Sequence, residues 1–520
     1  MDKGHRDTIQ RILITVPNTS WFGKRLWVVP PYTLSLLSAV TPKNFTVQLF
    51  DPHLGNVSFE DAVNRIADFA PDVVGITCMS LEYAPTFHRY ALAIKERLPH
   101  TRIILGGPYV TTSTEEAMRD GVADYAVLGE GERRWPRLLR ALAQGDKDFS
   151  HFDGLGWRRS GQVIINPIVD FIADLDEVPF PDYEKAAYPS YFTTNNAYGN
   201  VMNARYEPYA MTVTSRGCPY PCIYCSTQAI DGRKVRWRSA ENVLREVDWL
   251  VEKYGVKEIL FLDDNLILNR PRFKKILHGL IERNHDLHWK SVNLATFLLT
   301  DDLLELMWQA KCYQLILPIE SGNQYVLDEV LKKPVKLDKI SGIMKKAREL
   351  GFETASDFII GIPGETWDQI RDTFRFAEEM DTDMTSFHIA TPLPKTEMYT
   401  IARDRGYLPE GFHFGGTQFF GFGRGCITTE EFSPQELHML RAMEWDRINF
   451  KSPEKKARFA RMAGIGLEEL ERWRRNTIRN LGIYFPNAEG KETTTNRPSP
   501  VPPLEGLLDK SGRFSQVVNG

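Results

Sequence analysis

Short apolar runs alternate with amphipathic stretches along most of the chain. RILITVPN (11–18), FTVQLFD (45–51), VVGITCM (73–79), RIILGG (102–107) and YAVLGEGE (125–132) are short and largely apolar. EDAVNRIADFA (60–70) and PTFHRYALAIKERL (85–98), which lie between them, carry apolar residues at helical spacing. Strands without polar alternation are buried on both faces, and helices joining them imply a parallel sheet. Residues 1–145 are therefore predicted to form a doubly wound, Rossmann-like α/β domain whose ligand lies at the carboxyl ends of its strands. Residues 146–209, with DEVPFPDYEKAAYPSYF (176–192), lose this rhythm and read as a linker packed along the surface.

A second alternation fills 210–405. AMTVTSRG (210–217), EILFLDDN (258–265), LHWKSVNLA (287–295), YQLILPIESG (313–322), FETASDFIIGIPGE (352–365) and DMTSFHIATPLP (383–394) are the expected strands. Six βα units of roughly 30 residues each predict a (β/α)6 partial TIM barrel with its chemistry on one rim. Residues 406–486 read as mostly helical after FHFGGTQFFGFGRG (412–425), and the polar, Pro-rich tail from 487 to 520 is expected to be disordered. His413, Phe419, Phe420 and Phe422 could cap a pocket or simply pack on the barrel.

Composition narrows the class. The 520 residues carry a net charge of −4 and are 42% hydrophobic and 25% charged. Nothing in this balance suggests a general surface for nucleic acid or anionic lipid. No apolar run is long enough to span a bilayer, and the N-terminal run is too short for a signal peptide, so a cytoplasmic location is expected. Six cysteines in a chain this long do not make a disulfide scaffold.

Three of those cysteines lie together in SRGCPYPCIYCST (215–227), as Cys218, Cys222 and Cys225. A structural zinc usually takes four protein ligands, often as two pairs, and no second pair exists here. Three thiolates suit an iron–sulfur cubane with one iron left open. Pro219 and Pro221 stiffen the loop and Gly217 lets it turn sharply. A zinc knuckle or a chance cluster is the alternative. Cys78, Cys312 and Cys426 are far away in sequence and read as buried free cysteines without a catalytic role.

The C-x3-C-x2-C loop after the first barrel strand resembles that of the radical S-adenosylmethionine (SAM) enzymes. The resemblance covers about 210–400. It implies a 4Fe–4S cluster on Cys218, Cys222 and Cys225, whose open iron chelates SAM, and reductive cleavage of SAM to a 5′-deoxyadenosyl radical. It implies SAM contacts at Tyr224, at Asp263, Asp264 and Asn265 of FLDDN, at Glu320 and Ser321 of LPIESG, at Gly361 and Gly364 of IIGIPGET, and at Ala390 of ATPLPKTEMY. Lys395 stands where that last turn would have glycine. Each segment also has a plain reading: Asp263 and Asp264 as helix-capping or solvated carboxylates, and Gly361 and Gly364 as turn residues.

DPHLGN (51–56), GITCMS (75–80), ILGGPYVTT (104–112) and LGEGE (128–132) follow the first-domain strands and gather on one rim. With a radical SAM core behind it, this order resembles the cobalamin-binding domain of cobalamin-dependent (B12-binding) radical SAM enzymes. The resemblance implies cobalamin contacts at Asp51, Thr77, Ser80, Gly106, Gly107, Gly129, Glu130 and Gly131. His53 is either a cobalt ligand or a polar turn histidine, since D-x-H-x-x-N only approximates the histidine motif of other cobalamin domains. The implied activity is methyl transfer from SAM via methylcobalamin to an unactivated carbon or phosphorus of a small specialised metabolite. A flavodoxin- or ferredoxin-like one-electron reductant is the implied partner, with no nucleic acid. The rivals are a non-methylating oxidation, cyclisation or ring rearrangement, a methylthiotransferase, and a cobalamin carrier or sensor.

Overall fold

The computed structural model describes residues 9–23, 26–192, 204–416 and 423–482. Seven strands form the first sheet: β1 (Arg11–Thr15), β2 (Thr46–Phe50), β3 (Val73–Thr77), β4 (Arg102–Gly106), β5 (Tyr125–Val127), β6 (Leu155–Arg159) and β7 (Gln162–Asn166), in the order β2-β1-β3-β4-β5-β6-β7. β1 to β5 pair in parallel. β3 is buried at every position and β1 at four of five, which is why these runs lack polar alternation. Chain direction across the sheet reverses between β1 and β3. Such a switch point opens a crevice at the carboxyl ends of those strands.

The segment expected to be a surface linker contributes two strands to the first sheet. β6 and β7 form an antiparallel hairpin that extends the sheet beyond β5. Its turn, Ser160 (φ 52°) and Gly161 (φ 82°), has both residues in the left-handed region, as a tight two-residue hairpin requires. The Ser-Gly pair in WRRSGQV was the sequence signal for it. Farther on, Tyr183, Tyr188 and Tyr191 are buried. The Tyr183 hydroxyl donates to Glu246 (3.0 Å), that of Tyr188 accepts from the Met211 N–H (3.1 Å), and that of Tyr191 donates to Asp51 (2.9 Å). The tyrosines thus strap the first sheet to the second half of the molecule.

The second half has β8 (Tyr209–Thr212), β9 (Ser215–Arg216), β10 (Arg236–Trp237), β11 (Glu258–Phe261), β12 (His288–Ser291), β13 (Gln314–Glu320), β14 (Glu353–Ile360) and β15 (Met384–Ile389). All but β9 and β10 are parallel barrel strands, paired as β12-β11-β8 and β13-β14-β15. A parallel bridge from Trp289 to Cys312 links the two sets. No pairing joins β8 to β15 among the described residues, so the barrel is partial. β9 and β10 are a short antiparallel clasp, Arg216 opposite Arg236, at the root of the cysteine loop.

Among the described residues, 406–433 hold no helix or strand. The expected helices begin at Ser433, whose side chain and Glu436 cap Pro434–Asn449 reciprocally. Pro453–Ala463 and Leu467–Gly482 follow. Phe450 and Phe459 share a core with Ile316, Ala355 and Met384 of the barrel strands. Phe419, Phe420, Phe422 and the tail 487–520 lie outside the described residues. No described helix is long and apolar enough to cross a membrane.

Candidate active site

The cysteine loop leaves the β9–β10 clasp through Gly217. Its φ is 88°, and a Cβ there would meet the Lys234 carbonyl oxygen at 2.8 Å, so only glycine fits. The Cys218 N–H donates to the Gly232 oxygen (3.3 Å), and that of Cys225 to the Cys222 oxygen (3.2 Å). All three thiols are free and partly exposed, whereas Cys78, Cys312 and Cys426 are free and buried. Burial raises the thiol pKa of Cys218, and that of Cys222 to about 11. No three His, Cys, Asp or Glu side chains among the described residues converge on a point where one metal ion could sit. The Asn265 side chain hydrogen-bonds Cys218, while its Oδ1 is buried with no partner among the described residues. Three unpaired thiols and an orphaned polar atom beside them fit a 4Fe–4S cluster with a polar ligand next to it.

Glu320 ends β13 after a register shift, with φ 76°. Such strain in a non-glycine residue persists only where its surroundings hold it. Its carboxylate accepts from the Tyr224 hydroxyl (2.9 Å) and from Lys333 Nζ (2.7 Å). Lys333 Nζ also donates to Tyr224 (3.2 Å), and its charge lowers the pKa of the Cys222 thiol. Tyr224, Glu320 and Lys333 therefore form one buried group beside the cysteines. Lys333 was missed in the sequence, where LKKPVKL gives no sign of which lysine turns inward.

The other expected SAM residues divide. Asp264 lines an open cavity, and the Gly217 N–H and the Thr227 hydroxyl (3.3 Å) donate to it. Asp263 is fully buried and accepts from Thr214 N–H (3.0 Å), Thr214 Oγ1 (2.7 Å) and Ser215 Oγ (2.5 Å). It ties the β8–β9 turn and does not cap a helix. Ser321 is turned under the helix Trp367–Met380, where its hydroxyl meets Thr373 (3.2 Å). Gly361 and Gly364 have φ 77° and 96°. A Cβ on Gly361 would lie 2.3 Å from Leu437 of the C-terminal helix. The Gly361 and Ile362 N–H groups are held by Glu365 Oε2 (2.8 and 3.2 Å). The Glu365 carboxyl is buried and raised to about 8 by that burial. Ala390 is buried, and its N–H continues the β14–β15 ladder to the Ile360 oxygen (2.9 Å). Lys395, in place of glycine, adopts φ 59° and sends its ammonium to the Thr111 oxygen (2.9 Å) in the first half.

A cavity of about 770 Å³ opens at the carboxyl ends of the first-sheet strands. Thr77, Ser80, Gly106, Gly107, Gly129, Glu130 and Gly131 all line it. Gly107 has φ 97°, and a Cβ would lie 2.6 Å from the Cys78 oxygen and 2.7 Å from Thr77 Oγ1. A Cβ on Gly131 would lie 2.8 Å from Leu37. These glycines let the backbone pack tightly at the cavity's edge, and the volume of the cavity itself is what fits a bulky cofactor such as cobalamin. Asp51 lines only an adjoining cavity of about 360 Å³. The two cavities share Trp27, Tyr32, Thr77, Met79, Arg216 and Asp231.

His53 is the polar turn histidine. Its Nδ1 meets Asp51 Oδ1 (2.6 Å), and its Nε2 accepts from the Thr19 N–H (3.0 Å). Neither ring nitrogen is left to ligate cobalt in this arrangement. Asp51 is held by His53 and Tyr191. Glu130 lines the cavity, and its carboxylate accepts from Arg216 and Arg236 of the β9–β10 clasp. Asp231 stands where the cavities meet. Burial first and Asp264 second raise its carboxyl to about 7. Cys78 donates to the Ser80 oxygen (3.3 Å), and burial raises its pKa to about 12, so it stays a thiol.

Comparison with known proteins agrees with this geometry. Residues 212–377 match the Radical SAM superfamily and residues 23–139 the B12 binding domain. An uncharacterized methyltransferase of Pyrococcus horikoshii is 31% identical over 400 residues, 76% of this chain and 83% of that one. Cytidylyl-2-hydroxyethylphosphonate methyltransferase of Streptomyces wedmorensis is 28% identical, over 68% and 70% of the two chains. Anaerobic magnesium-protoporphyrin IX monomethyl ester cyclase of Rubrivivax gelatinosus is 26% identical, over 76% and 70%. The structure of the radical SAM methyltransferase TsrM from Kitasatospora setae, with cobalamin and a [4Fe-4S] cluster bound, has the same fold at TM-score 0.63 and 17% identity, over 83% of this chain and 81% of that one.

Proposed function

Since the chain belongs to the cobalamin-dependent radical SAM enzymes, which work with a 4Fe–4S cluster, SAM and cobalamin, we propose that it moves a methyl group from SAM, by way of cobalamin, to an unactivated carbon or phosphorus of a small specialised metabolite. The observation that carries this reading is that residues on either side of the cysteine loop line the cobalamin-sized cavity. Arg216 and Asp231 line both cavities, and Asp264 and Ser215 face Thr77 and Met79 across the smaller one. Bound there, the cluster and cobalamin supply reductive SAM cleavage and methyl carriage.

The chain's own residues bind and orient. Cys218, Cys222 and Cys225 would hold the cluster. SAM carries a carboxylate, an ammonium and a sulfonium. Lys333 with Tyr224 suits the first, and Asp264, beside the cluster loop, suits the second. Gly106, Gly107, Gly129 and Gly131 would admit the corrin.

A cyclase among the relatives supports a second reading, a ring-forming oxidation without methylation. One substrate-free experiment separates the two. Anaerobic, cobalamin-loaded protein is given methyl-labelled SAM and a one-electron reductant of the flavodoxin or ferredoxin type. Label on the bound cobalamin, with S-adenosylhomocysteine released, is the expected result. 5′-Deoxyadenosine alone, with no label on cobalamin, would overturn the methyltransferase reading.

A further inference from the structure

Charged side chains from the two halves of the molecule meet in one buried knot. Glu130 Oε1 accepts from Arg216 Nη1 at 3.0 Å and from Arg236 Nη1 at 2.5 Å, while its Oε2 accepts from the Ile172 N–H at 2.7 Å. Glu132 Oε1 accepts from Arg216 Nη2 at 2.5 Å. Arg236 also donates to the backbone oxygens of Ile172 (3.0 Å) and Asp231 (2.7 Å). Side-chain exposure is 2% for Glu130, 8% for Glu132, 4% for Arg236 and 14% for Arg216, so solvent screens little of this interaction. One carboxylate serves two guanidiniums, and one guanidinium forks across two carboxylates, an arrangement that fixes direction as well as distance.

The knot sits where the two rims touch. Glu130 and Glu132 flank Gly131 at the start of the helix Gly131–Gln144 and line the larger cavity. Arg216 ends β9, two residues before Cys218. Gly217 between them has no room even for a Cβ, so little slack separates the guanidinium from the first cluster cysteine. Simple adhesion of the halves is already provided by the buried tyrosine strap of Tyr183, Tyr188 and Tyr191. Burying ions is a poor route to stability, and a buried ionic knot is better suited to specifying one geometry.

We propose that Glu130 and Glu132 are positioning residues: through Arg216 they hold the cysteine loop at one fixed distance and orientation from the cobalamin cavity. The proposal rests on the function given above. It makes Glu130 a residue that aims the cluster loop, with its carboxylate occupied by Arg216 and Arg236. A methyl group handed between SAM and cobalamin would then have a single path.

The test uses full-length protein loaded with cluster and cobalamin. Glu130→Gln/Glu132→Gln removes both charges and keeps the shapes; Arg216→Lys keeps the charge and loses the fork. Iron and cobalamin per chain are measured first. The spin–spin splitting of the cob(II)alamin EPR signal by the reduced cluster then reports their separation. Full loading is expected in every protein, with a resolved splitting in the wild type that smears or shifts in the double variant and changes less in Arg216→Lys. Methyl transfer from SAM to cobalamin should slow on the order of 100-fold, the loss that follows a misplacement of about 1 Å. An unchanged splitting and rate would overturn the proposal, as would loss of cobalamin from the double variant at intact fold, which would make Glu130 a corrin contact. If the double variant fails to fold, Glu132→Gln alone, which weakens one of the hydrogen bonds, carries the same readouts. A wild type that binds no cobalamin sinks the functional reading. A wild type that binds it and transfers no methyl sinks only the methyltransferase assignment, and the splitting still tests the positioning.

Discussion

The two rims that face each other are built by opposite means. On the first-sheet rim, Gly75, Gly107 and Gly131 stand where a Cβ would lie 2.6 to 2.8 Å from Trp135, Cys78 or Leu37. The backbone is packed closely there by omitting side chains. On the barrel rim, Asp263 is tied to Thr214 and Ser215, Glu320 to Tyr224 and Lys333, and Arg216 to Glu130 and Glu132. Charge is placed there and then held. A large cofactor that brings its own chemistry needs volume and close backbone approach. An iron–sulfur cluster and a zwitterionic ligand need donors fixed in position. The first rim should therefore fail when atoms are added, and the second when a donor or charge is removed.

The largest effect is expected from Cys218→Ala/Cys222→Ala/Cys225→Ala. All iron and all reductive cleavage of SAM should vanish, while cobalamin stays near one per chain, measured by iron assay, nucleoside chromatography and cobalamin absorbance. Loss of cobalamin together with the iron would break the comparison, because the rims would then not be independent. Gly107→Ala is the mirror experiment. It adds a methyl group against the Cys78 carbonyl and forces a side chain to φ 97°. Strain of about 1–3 kcal/mol is expected, with cobalamin content reduced by more than about tenfold if the strain is relieved by closing the crevice. Iron per chain should be unchanged.

Lys333→Ala probes the barrel rim with a smaller loss. A hydrogen bond to a charged group contributes about 1.5–3 kcal/mol, which corresponds to roughly 10- to 100-fold in SAM affinity. Calorimetric titration of the cluster-loaded protein with SAM should show it, and Lys333→Arg should recover part of the affinity. Unchanged affinity would leave Lys333 as no more than the counter-ion of Glu320.

These residues also mark how far the sequence could be read. Cys218, Cys222 and Cys225 announce themselves by local spacing. The strand runs declare the parallel sheets because both faces are buried, and the glycine turns follow directly on them. What stayed hidden is decided by neighbours far along the chain. Asp263 and Asp264 are adjacent and chemically identical, yet one is consumed by Thr214 and Ser215 and the other faces the cavity. Glu130 lines the cavity as expected, but its carboxylate partners, Arg216 and Arg236, lie more than eighty residues later and could not be read locally. The β6–β7 hairpin is hard to read because its residues, LGWRR and QVIIN, mix charged or polar with apolar side chains at the sheet's edge.

Glu365 gives the effect with a change of sign. Its carboxyl is fully buried, with pKa raised from 4.5 to about 8 by that burial. The folded protein therefore holds this proton longer than the unfolded chain does. Its contribution to stability is at its best below about 4.5, falls as pH rises, and levels off above about 8. At roughly 1.4 kcal/mol per unit the loss is on the order of 5 kcal/mol at most. Glu365→Gln keeps an acceptor for the Gly361 and Ile362 N–H groups and removes the titration. It also puts an amide N–H₂ where Glu365 Oε1 has no partner among the described residues, at a cost of about 1–3 kcal/mol. The variant should be the less stable protein at acid pH and the more stable one above about 8, so the two curves of urea midpoint against pH should cross. Parallel curves would mean that the glycine loop on the barrel rim admits water to Glu365, and that this rim is more open than its hydrogen bonds imply.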